Sequence, residues 1–180
     1  MLSMIQNADW AILHWIQENL RCGVLDAVLP KLTLLGEAGA VWIAVAIALL
    51  ATKKYRKYGI CLGLALIAGL LICNVGLKNI VARPRPCWLE SIGMLVNIPK
   101  DYSFPSGHTW SAVTGAWVAT AANRKFGYAA IPLAVLLAFS RLYLFVHFPS
   151  DVLVGALIGA LLGVLAVALQ KRLPARCCRK

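Results

Sequence analysis

Acidic residues are scarce in this chain of 180 residues, which has 7 Asp and Glu against 18 Lys and Arg, a formal net charge of +11. Charged residues make up only 14% of the chain, whereas 61% is hydrophobic. This composition excludes a disordered chain, a basic nucleic-acid-binding tail and an ordinary water-soluble domain. We attribute the positive excess to membrane topology, since cytoplasmic loops collect Lys and Arg.

The sequence also lacks the usual signatures of disulfide-rich, metal-binding and secreted chains. The six cysteines form no C-x-x-C pair and no Cys/His pattern, which argues against a disulfide framework and a zinc site. The first residues have no basic start followed by a continuous apolar core, so we expect no cleaved signal peptide. We expect Cys177 and Cys178 to be ordinary solvated thiols, with lipidation as the alternative.

Uncharged stretches of about membrane-spanning length run through most of the chain. The stretches without Asp, Glu, Lys or Arg are 38–52, 58–77, 102–123, 126–140 and 152–170. A helix needs about 20 mostly apolar residues to cross a bilayer, so we extend the fourth to about residue 146 and the first upstream of residue 37. Residues 22–35 are a separate span, a re-entrant segment or the outer part of one tilted helix. The pattern predicts an all-α transmembrane bundle of five to six spans.

Apolar residues recur at helical spacing near the start of the chain. Ile5, Ile12, Ile16 and Leu20 share one helical face, which predicts an amphipathic helix over residues 1–21 that lies at the membrane surface. The alternative is the polar start of a first membrane helix. We treat residues 1–180 as one membrane-embedded domain.

The cations between the predicted spans indicate the orientation of the bundle. They form three clusters, at residues 53–57, 124–125 and 171–180. The clusters alternate with the spans so that all three lie on one side, which is the cytoplasmic side by the positive-inside rule. The C-terminus is therefore predicted to be cytoplasmic, and loops 78–101 and 141–151 are predicted to lie on the outer face.

Polar motifs fall on this outer face, and each has a structural as well as a functional interpretation. Lys78 and the run Arg83-Pro84-Arg85-Pro86 leave the second span, where the prolines end the helix and the cations either snorkel or bind an anion. Pro105-Ser106-Gly107-His108 opens the third span, so its N–H groups form either a plain helix cap or an anion site. Asp151 can reach back to His147 and fix its tautomer.

Together the motifs indicate phosphoryl transfer. Lys78, Arg85 and Arg141 can neutralise phosphate oxygens, and the two guanidinium groups can grip them in bidentate fashion. One histidine can act as the nucleophile and another as the acid for the leaving group. No group of carboxylates is arranged in the sequence to hold Mg²⁺ or Zn²⁺. We therefore expect the cations to take the place of a metal and expect no cofactor.

The three motifs resemble those of the type 2 phosphatidic acid phosphatase superfamily of membrane lipid phosphatases. The signature of that family is K-x6-R-P, P-S-G-H and S-R-x5-H-x3-D. Lys78 to Pro86, Pro105 to His108 and Ser140 to Asp151 match it in order and without substitution. The resemblance covers residues 58–170 and implies an α-helical bundle, commonly of six spans.

The resemblance also implies a role for each motif residue. His147 would be the nucleophile that forms a phosphohistidine, Asp151 its orienting partner, and His108 the acid for the leaving group. The phosphate would be held by Lys78, Arg85, Ser106, Gly107 and Arg141. Arg83 lies two residues short of the family spacing and is treated as auxiliary.

These observations predict a metal-independent phosphatase that hydrolyses a lipid phosphate or diphosphate at the outer face of a bacterial plasma membrane. Undecaprenyl diphosphate is the favoured substrate, and phosphatidylglycerol phosphate and phosphatidic acid are alternatives. A lipid phosphotransferase would share every catalytic residue. An anion-binding transporter or scaffold is disfavoured because no internal repeat is present. We expect membrane lipids as partners and no nucleic acid, and the sequence leaves the oligomeric state open.

Overall fold

The computed structural model of the protein describes residues 2–90 and 92–174, which fold into helices and loops without a strand. The helices in these ranges are α1 Leu2–Asn19, α2 Gly23–Leu34, α3 Ala40–Ala51, α4 Arg56–Gly69, α5 Lys78–Val81, α6 Pro86–Leu89, α7 Gly107–Ala122, α8 Arg124–Tyr143 and α9 Pro149–Arg172. A 3₁₀ turn, Glu37–Gly39, precedes α3, and a π-helical segment, Leu70–Leu77, joins α4 to α5. The predicted all-α class is confirmed. Cys177, Cys178 and the cations that follow residue 174 lie outside the described residues.

Three stretches of the described chain are long and apolar enough to cross a membrane: Arg56–Leu89, Arg124–Tyr143 and Pro149–Arg172. The pair Gly23–Leu34 and Glu37–Ala51, bent by 46°, makes a fourth if it counts as one broken span. The predicted five to six spans are not reached by this measure. The third predicted span, 102–123, becomes a helix only at Gly107, because residues 102–106 form a loop against the motif residues.

The described residues of the three basic clusters, which in the third cluster are Lys171 and Arg172, lie at one end of the bundle. Nζ of Lys57, at the start of α4, donates to the carbonyl of Leu173 after α9 at 2.7 Å. Nδ2 of Asn123, between α7 and α8, donates to the hydroxyl of Tyr55 at 3.1 Å. The motif loops lie at the opposite end, where Arg85, just before α6, contacts the connection between α8 and α9.

α7 is the central helix, and it packs against α8 and α9 through small residues. A Cβ atom on Gly159 of α9 would lie 2.5 Å from the carbonyl oxygen of Trp110, and one on Gly155 would lie 2.9 Å from the carbonyl oxygen of Ser106. Such contacts are possible only without a side chain. The glycines of α9 therefore bring the start of α9 directly against the start of α7.

α1 and α2 lie across the motif end of the bundle. Leu13 and Ile16 of α1 are buried in an apolar cluster with Phe145 and Phe148, which flank His147. The first and last turns of α2 both contact the end of α8: the backbone N–H of Cys22 bonds the Tyr143 hydroxyl, and Thr33 bonds Arg141. α2 therefore crosses the end of α8, and its 12 residues are too few for a span of their own.

Candidate active site

Four cationic side chains gather at the motif end of the bundle. Lys78 is the first residue of α5, Arg85 precedes α6, and Arg141 lies in the last turn of α8. The relative exposure of these three residues is 5%, 2% and 6%. Arg83 is nearby but points elsewhere, toward Asp9 and Asp151. The long helical run from Arg56 and the two prolines after it place Lys78 and Arg85 side by side.

Arg85 is fixed directly beside His147. Its Nη1 donates to the carbonyl of Val146 at 2.7 Å and lies 3.0 Å from Nε2 of His147. Its Nε and Nη2 bond the backbone and carboxylate oxygens of Asp101 at 2.6 and 2.8 Å. Because all three nitrogens of this guanidinium have partners, its orientation toward Nε2 is well defined.

Asp101 bridges two of the predicted phosphate-binding cations. One carboxylate oxygen accepts from Arg85, and the other accepts a short hydrogen bond from Nζ of Lys78. Its side chain is 53% exposed, whereas those of the two cations are almost fully buried. An anionic group from the chain itself therefore contacts the cations that the sequence assigns to phosphate.

The other ring nitrogen of His147 faces Ser103 and Asp151. Nδ1 is 3.3 Å from the Ser103 hydroxyl and 3.7 Å from Oδ2 of Asp151. The Ser103 hydroxyl also donates a short hydrogen bond to that carboxylate oxygen. The predicted pairing of His147 with Asp151 thus runs through a serine, and the pair is brought together by the turn into α9. Nε2 remains on the side of the cations.

His108 and Arg141 meet at the last turn of α2. Nε2 of His108 is 3.2 Å from the carbonyl oxygen of Thr33, and Nη1 of Arg141 donates to the Thr33 hydroxyl at 2.5 Å. Gly36 permits this approach, because a Cβ atom there would lie 2.6 Å from the His108 ring. α2 and its following turn therefore form one wall around both predicted residues.

The start of α7 differs from the prediction at Ser106. The backbone N–H of Ser106 donates to the carbonyl of Asp151 at 3.2 Å, and its hydroxyl accepts from Thr109 at 2.9 Å. Ser106 is fully buried and does not line the cavity, whereas Gly107 and His108 do. The contact between α7 and α9 occupies the N–H that the sequence assigned to phosphate.

A cavity of about 1240 Å³ opens from this cluster and extends between α3 and α4. Lys78, Arg85, His108, Arg141 and His147 line one end. Apolar side chains line the other part: Ile43, Ile47, Leu50, Leu66, Ile67 and Leu70. The cavity thus combines a cationic end, which suits an anionic headgroup, with an apolar groove, which suits a hydrocarbon chain.

The surroundings of His147 and Asp101 lower the pKa of both side chains, with opposite consequences for their charge. Burial lowers the pKa of His147 well below its usual value of 6.5, and the neighbouring cations, Arg85 first, lower it further. Burial alone would raise the pKa of the Asp101 carboxyl, but the hydrogen bond from Lys78 and the charge of Arg85 lower it to about 2. At neutral pH the imidazole of His147 is therefore neutral and able to attack an electrophile, and Asp101 is ionised.

Sequence reasoning missed four residues that shape this site: Asp9, Thr33, Asp101 and Ser103. Asp9 and Thr33 lie more than 100 residues from their partners Ser150 and Arg141, so no spacing pattern connects them. One sequence signal could have pointed to Asp101 and Ser103, since they lie in the loop just before the P-S-G-H motif. Their contacts depend on how that loop folds back over Arg83 and Arg85.

Comparison with known proteins gives consistent matches. A model of the PAP2 superfamily matches residues 58–174. The undecaprenyl-diphosphatase of Sulfolobus acidocaldarius is 35% identical over 138 residues, which are 76% of this chain and 66% of that protein. Undecaprenyl-diphosphatase BcrC of Bacillus subtilis is 32% identical over 130 residues, 72% of this chain and 67% of that protein. The chain spans about two thirds of the length of these curated relatives.

A solved structure shares the arrangement of helices. The crystal structure of a transmembrane PAP2-type phosphatidylglycerolphosphate phosphatase from Bacillus subtilis superposes with a TM-score of 0.77. The two sequences are 27% identical, and the match covers 95% of this chain and 88% of the other. The likeness therefore includes the N-terminal helices that lie outside the region matched by the family model.

Proposed function

The chain belongs to the PAP2 superfamily, and from this membership we propose that it is a metal-independent phosphatase of membrane lipids. His147 is the proposed nucleophile, with a phosphohistidine intermediate. Asp151 and Ser103 orient it, and His108 is the proposed acid. The phosphate contacts are Lys78, Arg85, Arg141 and the start of α7 at Gly107. Ser106 supports this site from behind, through its contacts with α9.

The single observation that carries the proposal is that the guanidinium of Arg141 is buried without a carboxylate partner in the described residues. Its guanidinium is buried beside the cavity, and it forms no ion pair with any carboxylate in the described residues. Its Nε–H lacks a hydrogen-bond partner in the same part of the chain. Burying an unpaired charge costs several kcal/mol. A site that accepts this cost is suited to an anion such as a phosphoryl group, which would bond the guanidinium in bidentate fashion.

The geometry supports attack by Nε2 of His147. Nδ1 faces Ser103 and Asp151, so the proton of the neutral ring resides there and the lone pair of Nε2 points toward the cations. Nε2 forms a bond to phosphorus while the bond from phosphorus to the leaving oxygen breaks, and His108 protonates that oxygen. Water then attacks the phosphohistidine, gives a proton to His108, and releases inorganic phosphate together with neutral His147.

Undecaprenyl diphosphate is the substrate that we favour. The names of the two curated relatives support a prenyl diphosphate, and the apolar groove between α3 and α4 supports a long hydrocarbon chain. A second candidate is phosphatidylglycerol phosphate, because the structural neighbour is a phosphatidylglycerolphosphate phosphatase and its likeness covers almost the whole chain. Both substrates present a terminal phosphate, so the cationic end of the cavity serves either one.

We place the site at the outer face of the membrane, with five transmembrane passes and α1 at the membrane surface. The described residues of the three basic clusters lie at the opposite end of the bundle, and they support this orientation by the positive-inside rule. Cys22 is an exposed thiol at the site end. With the other cysteines replaced by serine, it should react with a membrane-impermeant maleimide in intact cells. A cysteine at Thr52, an exposed residue at the other end, should react only after permeabilisation, and the reverse pattern would refute the orientation.

The decisive test of the activity is phosphate release by purified protein in detergent, with EDTA present. The substrates are undecaprenyl diphosphate, phosphatidylglycerol phosphate and phosphatidic acid, each supplied without an acceptor other than water. We expect release from the prenyl diphosphate at the highest kcat/KM. Activity that requires a divalent ion would refute the metal-independent mechanism, and release from none of the three would refute the proposed function.

A further inference from the structure

We propose that Asp9 of α1 is a positioning residue for the reaction, which acts through Arg83 on Asp151 and thereby on His147. The proposal rests on the proposed function, because it concerns the carboxylate taken there as the partner of the nucleophile. It assigns a chemical role to α1, which lies outside the region that carries the sequence motifs.

Arg83 joins two buried carboxylates. Its Nη1 donates to Oδ1 of Asp151 at 2.6 Å, and its Nη2 donates to Oδ2 of Asp9 at 2.7 Å. The side chains of Asp9 and Asp151 are 4% and 0% exposed, and that of Arg83 is 17% exposed. The guanidinium lies 4.0 Å from the centroid of the Phe148 ring, which closes one side of the group. The three charges therefore interact across a medium that contains little water.

Asp9 is also bonded directly to the turn that carries the motif residues. Its Oδ1 accepts from the backbone N–H of Ser150 at 2.8 Å, and its Oδ2 accepts from the Ser150 hydroxyl at 2.6 Å. Gln6, one turn earlier in α1, accepts from Nη2 of Arg83 at 2.8 Å. α1 thus fixes both the guanidinium of Arg83 and the first turn of α9, and Asp151 belongs to that turn.

The second carboxylate, Asp9, changes the net charge that Arg83 and Asp151 present to His147. An isolated pair of Arg83 and Asp151 would be neutral, and Asp151 would offer little negative potential to His147. Asp9 adds a charge of −1, so the group keeps a net charge of about −1. When Nε2 of His147 bonds phosphorus, the imidazole becomes positively charged, and a nearby net negative charge stabilises that state.

Attachment of α1 does not by itself account for Asp9. Leu13 and Ile16 already bury one face of α1 in an apolar cluster with Phe145 and Phe148. Burying a carboxylate costs free energy of desolvation that an apolar residue would avoid. An electrostatic role beside the site gives a reason for placing an aspartate there.

The test is the effect of Asp9→Asn on the hydrolysis of farnesyl diphosphate in detergent micelles. The substitution keeps the shape of the side chain but makes the group neutral. We expect kcat to fall by at least about tenfold, while KM changes by less than about twofold, because Asp9 does not contact the substrate cavity. Glu18→Gln is the matched control, since Glu18 is an exposed acid of the same helix. Equal kcat values for Asp9→Asn and the wild type would overturn the proposal.

A double variant separates the electrostatic role from a structural one. Adding Arg83→Gln to Asp9→Asn leaves Asp151 as the only charge of the three and restores the net −1. We expect this double variant to be several-fold more active than Asp9→Asn alone. A further loss would show that the three residues only hold α1 in place, and would refute the proposal. If Asp9→Asn does not fold, the double variant is compared with the wild type. A kcat of the double variant below about one hundredth of the wild-type kcat then refutes the proposal. A wild type that releases no phosphate refutes instead the proposed function.

Discussion

Nδ1 of His147 and Oδ2 of Asp151 are 3.7 Å apart, which is too far for a direct hydrogen bond. The hydroxyl of Ser103 lies between them, 3.3 Å from Nδ1 and in a short hydrogen bond with the carboxylate. Ser103 is fully buried, and its backbone N–H is fixed by the carbonyl of Arg83 at 2.9 Å. The orientation of the proposed nucleophile therefore depends on a serine that belongs to none of the family motifs.

Ser103→Ala should lower kcat roughly 10- to 100-fold, which corresponds to the loss of one hydrogen bond to a charged group. KM should change little, because Ser103 does not line the cavity. The measurement is steady-state kinetics on a lipid phosphate in detergent. Thr114→Val is the matched control, since it removes a buried hydroxyl of α7 that bonds only backbone carbonyls. Equal kcat values for Ser103→Ala and wild type would contradict a role for the serine.

Asp101→Asn should strengthen the binding of phosphate analogues. In the wild type an incoming anion must compete with this carboxylate for Lys78 and Arg85. Its pKa of about 2 keeps it ionised at every pH used for assays, so the competition is constant. We expect the inhibition constant of vanadate to fall about fivefold for each freed hydrogen bond that contributes about 1 kcal/mol, and about 30-fold if the bonds to Lys78 and Arg85 both do.

Glu90→Gln is the control for the loss of one acid in the same connecting segment, since Glu90 pairs with His14 away from the cavity. Weaker vanadate inhibition in Asp101→Asn than in the wild type would show that the carboxylate assists anion binding. That result would contradict the competition described here.

Gly63→Leu should impair hydrolysis of long-chain substrates selectively. Gly63 lines the apolar part of the cavity, about 20 Å along the helix from Lys78, and a Cβ atom there meets no other atom within 4 Å. The added side chain would fill the groove without disturbing the fold. We expect KM for undecaprenyl diphosphate to rise several-fold, and kinetics on a short-chain prenyl diphosphate to stay unchanged.

Gly23→Leu is the matched control for this substitution. Gly23 is exposed at the start of α2, has equally open space around it, and lies outside the cavity. If Gly63→Leu affects short and long substrates alike, or neither of them, the groove is not the binding site for the lipid chain.

Stability should fall when the pH drops below about 6.5, in part because of His147. Its pKa in the folded protein is well below the usual 6.5, so the unfolded chain takes up a proton in this range and the folded protein does not. Linkage then makes stability rise with pH, by at most about 1.4 kcal/mol per pH unit for one histidine. Melting temperatures of wild type and His147→Asn between pH 7.5 and 5.5 test this. The melting temperature of the wild type should fall more over this pH range than that of His147→Asn. Equal decreases in melting temperature would contradict a buried neutral imidazole.

The family and the helical class could be predicted from the sequence because their signals are local. K-x6-R-P, P-S-G-H and S-R-x5-H-x3-D each lie within a short stretch of chain, and uncharged runs of sufficient length report membrane helices. The alternation of the basic clusters also predicted one shared end of the bundle, where their described residues lie. Lys78, Arg85, His108, Arg141 and His147 consequently meet at the other end, although their chemical roles stay predictions.

The remaining features depend on contacts between distant parts of the chain. Arg83 gave no local sign that it would bond Asp9, 74 positions away, in place of a phosphate. The N–H of Ser106 is occupied because Gly155 lets α9 approach α7, which a residue count cannot reveal. The third predicted span was too long at its start, since residues 102–106 carry no charge and nevertheless form a loop.

The most direct test of the account is the detection of a phosphoryl group on His147 during turnover. Wild-type protein is mixed with terminally ³²P-labelled prenyl diphosphate in the presence of EDTA, quenched in base within the first turnover, and digested for peptide mapping. We predict label on the peptide that contains His147, stable in base and lost in acid, and no label in His147→Ala. Label on another residue, or turnover that persists in His147→Ala, would contradict the account.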